Sequence, residues 1–202
     1  MDNKPEYIKI NNEITMKTMK DRENPDILNS HWKRYVEEFG IFSKYVKNTD
    51  KVLDLGCKDG TWFDLLKQNN FTQMVGIDCC PEVVEIASKK GYNVYIGDVQ
   101  NMPMFDDESF DSISLIHTLE HVPNPDLVVS ECERLLKENG IVFVEVPTQK
   151  PEEPEKWGHY HCFTHRGEVV ELFDPYFQLL EVVSMDPPSK KPWHRFIFKK
   201  RV

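Results

Sequence analysis

The chain has 202 residues, with 25 Lys and Arg against 34 Asp and Glu, a net charge of −9, 40% hydrophobic residues and 29% charged ones. That length fits one domain that buries a core without disulfide or metal staples, and the composition excludes wholesale disorder, collagen and membrane-spanning classes. The acidic balance disfavours a dedicated nucleic-acid binder, which relies on Lys and Arg, while an enzyme with a local basic groove stays open.

The N-terminal sequence is polar. It lacks the apolar core of a secretory leader, and no apolar run approaches the roughly 20 residues of a membrane helix. The first 50 residues read as irregular and then helical. The stretch 20–29 is charged and contains Pro25; Trp32, Tyr35, Val36 and Phe39 then recur at helical spacing, which 41–46 continues. One or two amphipathic helices are predicted here, as core packing or as a lid over a site. From residue 51 the pattern changes to strands and helices in alternation: a strand at 51–55 ending in Gly56, a helix at 61–68, a strand at 73–78, and a helix at 81–90 opened by Pro81 and stopped by Gly91. Strands follow at 92–96 and 110–116, a helix at 126–138 stopped by Asn139-Gly140, and a strand at 141–146 closed by Pro147. The stretch 147–161, with its prolines and charges, reads as a loop. A short helix at 168–173, a strand at 177–183, a turn region at 186–189 and a last strand at 193–198 complete the chain, and so short a return makes that last strand antiparallel.

This alternation predicts an α/β fold, a doubly wound sheet with helices on both faces, as a single domain over 1–202 with a helical cap over about 1–48. Ligands of such a sheet bind outside the carboxyl ends of the strands, which singles out Gly56, Asp78, Asp98 and His117. The five cysteines, Cys57, Cys79, Cys80, Cys132 and Cys162, are odd in number and form no CxxC pair. They fit a reduced, cytoplasmic setting, most of them as small buried hydrophobes.

The stretch 52–60 carries the most chemistry. A strand delivers Asp54, where a ligand ammonium could meet it, and a turn bounded by Gly56 and Gly60 lets backbone approach a ligand closely. Asp78 at the next strand end suits the two hydroxyls of a ribose, and Asp98 with its neighbouring N–H suits an adenine edge. Each acid alone is an ordinary turn residue; three at successive strand ends point to an adenosine-type cofactor.

These residues resemble a known family. Asp54-Leu55-Gly56-Cys57-Lys58-Asp59-Gly60, Gly76-Ile77-Asp78, Gly97-Asp98-Val99 and 109–113 are similar to the successive motifs of class I S-adenosylmethionine-dependent methyltransferases. Leu119-Glu120-His121-Val122-Pro123 followed by 135–140 resembles the ubiquinone/menaquinone-biosynthesis branch. The resemblance covers about 45–200 and implies a Rossmann-like seven-stranded sheet with its last strand antiparallel. It implies that Asp54, Gly56 and the backbone near Cys57 meet the methionine part of S-adenosylmethionine, that Asp78 holds the ribose, and that Asp98 and Val99 hold the adenine. Gly60, Cys79 and His117 complete the expected cofactor set, with S-adenosylhomocysteine as product. Lys58 departs from the family, which has glycine there. If the turn needs positive φ, that side chain crowds the cofactor, and in the extreme the chain is a catalytically silent module. A dinucleotide enzyme is disfavoured, because Gly-x-Gly-x-x-Gly is absent.

The expected reaction is methyl transfer to an oxygen or nitrogen of a small-molecule acceptor. Positioning supplies much of such catalysis, and an oxygen nucleophile also has to lose a proton, so His117 and His121 are the candidate general bases. A metal competes for the same residues: His117, Glu120 and His121 lie on one turn, and His159, His161 and His165 lie in a later loop. Small-RNA 3′-end methyltransferases resemble this pattern. They suggest the alternative of a metal-assisted RNA methyltransferase using His117, Glu120, His121 and His161. The loop is expected to close over the acceptor site, anchored by Trp157, Tyr160 and Phe163, with Thr164 capping the next helix. The basic runs 190–191 and 199–201 read as solvated strand ends.

Overall fold

The structure is a computed structural model and describes residues 5–148, 158–185 and 193–202. The expected turn at 186–189, the 190–191 run and the anchor Trp157 lie outside these. Helices α1 (Glu6–Asp21) and α2 (Pro25–Phe42) precede the sheet. Then come β1 (Val52–Leu55), α3 (Thr61–Gln68), β2 (Met74–Asp78), α4 (Pro81–Lys89), β3 (Asn93–Ile96) and β4 (Phe110–Ile116). A 3-10 turn (Leu119–His121), α5 (Pro125–Leu135), β5 (Leu136–Pro147), α6 (Arg166–Phe173), β6 (Phe177–Met185) and β7 (Trp193–Lys200) follow.

The seven strands form one sheet in the order β3-β2-β1-β4-β5-β7-β6. The first five pair in parallel, and β7 runs antiparallel between β5 and β6, as expected. The chain winds outward from β1 to β2 and β3 and then returns to β4 on the other side. The crevice beyond the carboxyl ends of β1 and β4 is therefore the switch point where such sheets bind ligands. Side chains alternate across the strands. Leu53, Leu55, Ile113, Leu115, Val142, Val144, Phe196 and Phe198 pack on one face with α5 and α6, whereas Val52, Phe143 and Ile197 pack on the other with α2 and α3. No helix among the described residues is long and apolar enough to cross a membrane.

Four expectations need correction. The stretch expected to be irregular holds α1, whose buried residues are only Ile8 and Asn11. Its signal is faint because it lies across the site rather than in the core. The helix expected over 126–138 ends at Leu135. Leu136 is already extended, with ψ 138, and pairs with Phe110, and Lys200 Nζ holds the freed carbonyls of Glu133 (2.8 Å) and Leu136 (2.9 Å). By the same contacts Lys200 is buried, not part of a solvated run. Thr164 precedes the cap of α6, which is His165; the Glu168 carboxylate takes the Thr164 N–H at 3.0 Å together with its hydroxyl. At the other end of the chain, Asn24 caps α2 at 3.0 Å with Pro25 behind it, a helix start that sequence rules describe well.

Candidate active site

Strand β1 runs into a tight turn with Gly56 at φ 80, Lys58 at φ 48 and Gly60 at φ 76. Gly56 is required by space as well as conformation. A Cβ there would lie 2.5 Å from Thr118 Oγ1, whose hydroxyl donates to the Leu55 carbonyl at 2.7 Å. A cavity of about 530 Å³ opens beside this turn, lined among others by Gly56, Lys58, Asp78, Cys79, Asp98, Val99, His117 and His121. A smaller recess of about 80 Å³ adjoins it and reaches Asp54 and Cys57. The expected cofactor residues are thus brought together, except Gly60, which caps α3 beneath Tyr92 and lines neither space.

The three acids differ in state. Asp54 is buried and accepts a hydrogen bond from Ser114 Oγ at 2.6 Å; burial, reinforced by the charge of Asp78, pushes its carboxyl up to about 7 against that bond. Asp78 is raised by burial, opposed by the backbone N–H groups of Lys58 (3.0 Å) and Cys80 (2.9 Å) that it accepts. Asp98 accepts from the Gln100 N–H at 2.9 Å and from the Tyr7 hydroxyl of α1, which reaches across the cavity to it. Burial pushes the Cys79 thiol up to about 12, so it is a neutral wall residue.

His117 follows β4 in the left-handed region, with φ 53, a strained position for a residue other than glycine. Its Nδ1 is 3.0 Å from Glu120 Oε1, and its Nε2 is 2.8 Å from Glu145 Oε1, close in distance though off the hydrogen-bond line. Burial and Arg34 work to discharge the ring, but the two carboxylates prevail and hold its pKa up. A ring whose two nitrogens both face carboxylates carries both protons and has no lone pair for a base. Burial would raise Glu120 in turn, but the His117 contact overrides it and holds Glu120 down to about 2. Behind this pair, Glu145 also binds Arg195 Nε, while Arg34 pairs with Glu38 at 3.0 Å.

His121 is different. Its Nδ1 lies 3.2 Å from the Gly158 carbonyl oxygen, which can only accept, so Nδ1 holds the proton and Nε2 the lone pair. Burial lowers its pKa and keeps it neutral. His159 stands at right angles to it, ring centroids 4.7 Å apart, and Glu120, His121 and His159 each offer a ligand atom within 4.8 Å of the others. The four-residue metal set expected from sequence is therefore not assembled. His117 is engaged by its carboxylates, and His161 tilts against Phe163 and gives only its backbone N–H to the Glu120 carbonyl (3.1 Å).

Residues 27–179 match the model of a methyltransferase domain family. The chain belongs to the class I S-adenosylmethionine-dependent methyltransferases. Within that family its sequence is similar to the ubiquinone-biosynthesis branch. The ubiquinone biosynthesis O-methyltransferase of Xanthomonas oryzae is 30% identical over 107 residues, 50% of this chain and 44% of that protein. The one of Actinobacillus pleuropneumoniae is 35% identical over 114 residues, 52% and 46% of the two chains. The match thus spans less than half the length of these relatives. In fold, the methyltransferase resembles a Thermotoga maritima structure described as an S-adenosylmethionine-dependent methyltransferase, possible histamine N-methyltransferase. The TM-score is 0.75 at 20% identity, covering 95% of this chain and 99% of that one.

Several residues of this methyltransferase site were not singled out by sequence reasoning. Tyr7 and Asn11 come from α1, the latter donating to the His121 carbonyl at 2.9 Å; Arg22 precedes α2; His31 and Arg34 come from α2; Trp193 comes from β7. His31 is held down to about 4 by burial and by the nearby Arg34, Arg22 and Lys58. Polar residues on a helix outside the sheet carry no motif. Glu145 and Arg195 did carry a signal: each is a charge inside an apolar strand, at positions paired across β5 and β7. Buried charges in a strand need partners, and that need marks them.

Proposed function

We propose that this chain is a single methyltransferase domain, capped by α1 and α2, that transfers the methyl group of S-adenosylmethionine to an oxygen of a small-molecule acceptor. The observation that carries the oxygen reading is the state of His121. Burial holds its pKa down, its Nδ1–H donates to the Gly158 carbonyl, and its Nε2 is left as an acceptor on a residue of the cavity wall. A hydroxyl nucleophile needs such a base, and the ubiquinone-branch relatives are named as O-methyltransferases.

The residues suit the cofactor. Asp78 has both carboxylate oxygens oriented by backbone N–H groups, with lone pairs remaining for a diol, and Asp54 stands buried with Ser114 as its one hydrogen-bond partner among the described residues, where an ammonium would discharge its burial cost. Bound there, S-adenosylmethionine supplies an activated methyl group on its sulfonium. The chain's own part is to orient the two reactants and exclude water; His121 takes the acceptor's proton on Nε2, and the Glu120–His117–Glu145 series holds a fixed charge beneath the reacting groups. His117 acts in this reading as a positioning cation rather than as a base. Calorimetry with S-adenosylhomocysteine, followed by methylation assays on phenolic, carboxylate and amine acceptors, tests the proposal. Turnover confined to amines would overturn the oxygen reading, and absence of nucleoside binding would overturn the whole.

A second reading has its own observation. Glu120 Oε2 is buried without a hydrogen-bond partner beside His121 and His159, a donor set that suits zinc or another divalent ion. Such an ion would hold the acceptor's oxygen through Glu120, His121 and His159, and it would extend the acceptors to the terminal ribose of an RNA. Titration with zinc and magnesium, repeated after Glu120→Gln, separates the two readings: heat that vanishes in the variant supports the ion.

A further inference from the structure

Residue 58 is where this chain departs from the glycine of the turn. The backbone keeps the conformation that a glycine would give it, with φ 48, and its N–H still serves Asp78 at 3.0 Å. What is added is an ammonium on a four-carbon stem. Lys58 lines both the main cavity and the recess. Burial, joined by the charges of Arg22 and Arg34, lowers it to about 8 against the pull of Asp78 and Glu120.

The other cations of the recess are committed. Arg22 binds Asp59 at 3.1 Å and approaches the Tyr35 hydroxyl at 3.4 Å. Arg34 binds Glu38 at 3.0 Å and covers the Trp193 ring at 5.2 Å. The Lys58 ammonium has no hydrogen bond or ion pair among the described residues. Enclosing a charge without a counter-ion is costly, and a ligand anion removes that cost. Of the residues lining the recess, Asp54 is the one carboxylate. The space therefore offers one acid and one uncommitted ammonium, the complement of an α-amino acid with its two charges.

We infer that Lys58 anchors the carboxylate of the cofactor's amino-acid end, so that a side chain takes over binding in the turn where the family relies on glycine backbone. This assignment rests on the cofactor reading above, and it turns the departure at 58 from an obstruction into a specificity device. It predicts discrimination between two nucleosides that share adenosine and thioether but differ in the amino-acid end: S-adenosylhomocysteine and methylthioadenosine.

Calorimetry with both ligands on the full chain tests it. Lys58→Met keeps the length of the side chain and removes the charge; Lys58→Gly restores a residue at ease with the turn's φ, so a folding defect is not expected there. Both variants should bind S-adenosylhomocysteine roughly tenfold to hundredfold more weakly and methylthioadenosine unchanged, and Lys58→Arg should recover part of the loss. Unchanged or tighter S-adenosylhomocysteine binding, or equal losses for both ligands, would overturn the assignment while leaving the cofactor reading intact. Failure of the unmodified chain to bind either nucleoside would overturn both.

Discussion

The two faces of the central sheet contrast sharply, although they share the same strands. Toward α5 and α6 the buried positions of β1, β4, β5 and β7 are apolar except Lys200 at the end of β7. Toward α2 and α3, the adjacent positions on those strands include Asp54, Ser114, Glu145 and Arg195, every one of them buried. Along β1 the change is a single residue, from Leu53 to Asp54. One face holds the fold together by area removed from water. The other places charge beside the switch-point crevice, where each charged group requires a partner. That division explains why α2 brings Arg34 and Glu38 to the sheet instead of a wholly apolar stripe.

Substitutions on the two faces should separate stability from function. The largest expected effect is on turnover: His121→Ala should lower kcat about 10²–10⁴-fold in a methylation assay and leave S-adenosylhomocysteine affinity unchanged. If affinity and kcat fell together, His121 would be a wall of the pocket rather than a base. Next comes the charged network. Glu145→Ala takes the carboxylate from Arg195 Nε and one of the two carboxylates from His117, and chemical denaturation should show a loss of about 3–5 kcal/mol together with weaker ligand binding. On the apolar face, Leu115→Ala should cost about 2–5 kcal/mol by cavity formation with no change in ligand affinity. An affinity loss there of the kind seen for Glu145→Ala would erase the distinction between the faces.

A smaller effect follows from the Asp54 carboxyl near 7. The cofactor's ammonium needs it ionised, so S-adenosylhomocysteine affinity should fall about tenfold from pH 8 to pH 6. Lys58, near 8, gains charge over the same range and offsets this by about twofold, while His31, near 4, stays neutral. Asp54→Asn should abolish the fall. In the ligand-free chain the sign reverses. The folded state keeps the Asp54 proton that the unfolded chain releases near pH 4, so this contribution to stability is present at low pH and is lost as pH rises through 7. Smallest of all, Tyr7→Phe removes the α1 contact to Asp98 and should loosen α1 by about 1 kcal/mol, read as faster amide exchange in that helix and unchanged exchange in β1.

Most of the sheet was legible in the sequence because its signals are local. Apolar runs of strand length, Pro81 and Gly91 around α4, and acids after successive strands each follow from rules that act over a few residues. Most of the errors fell where a distant group decided the outcome. Lys200, 64 residues away from Leu136, holds the carbonyls at the end of α5, and the sequence 136–138 considered alone continues a helix just as well. Helix α1 has so few buried residues that periodicity hardly marks it, and its place is fixed by Tyr7 and Asn11 reaching Asp98 and His121.

The sequence by itself determined the order of elements, the strand-end acids and the family, since these depend on residue type and spacing. Only the tertiary structure decided what the histidines are. His117 and His121 are four residues apart and identical in composition, yet one is clamped between Glu120 and Glu145, which hold its pKa up, while the other donates its Nδ1–H to the Gly158 carbonyl and has its pKa lowered by burial. Protonation and tautomer are set by partners brought from β5 and from the loop before α6, and electrostatic interaction in a buried site depends on distance in space rather than along the chain.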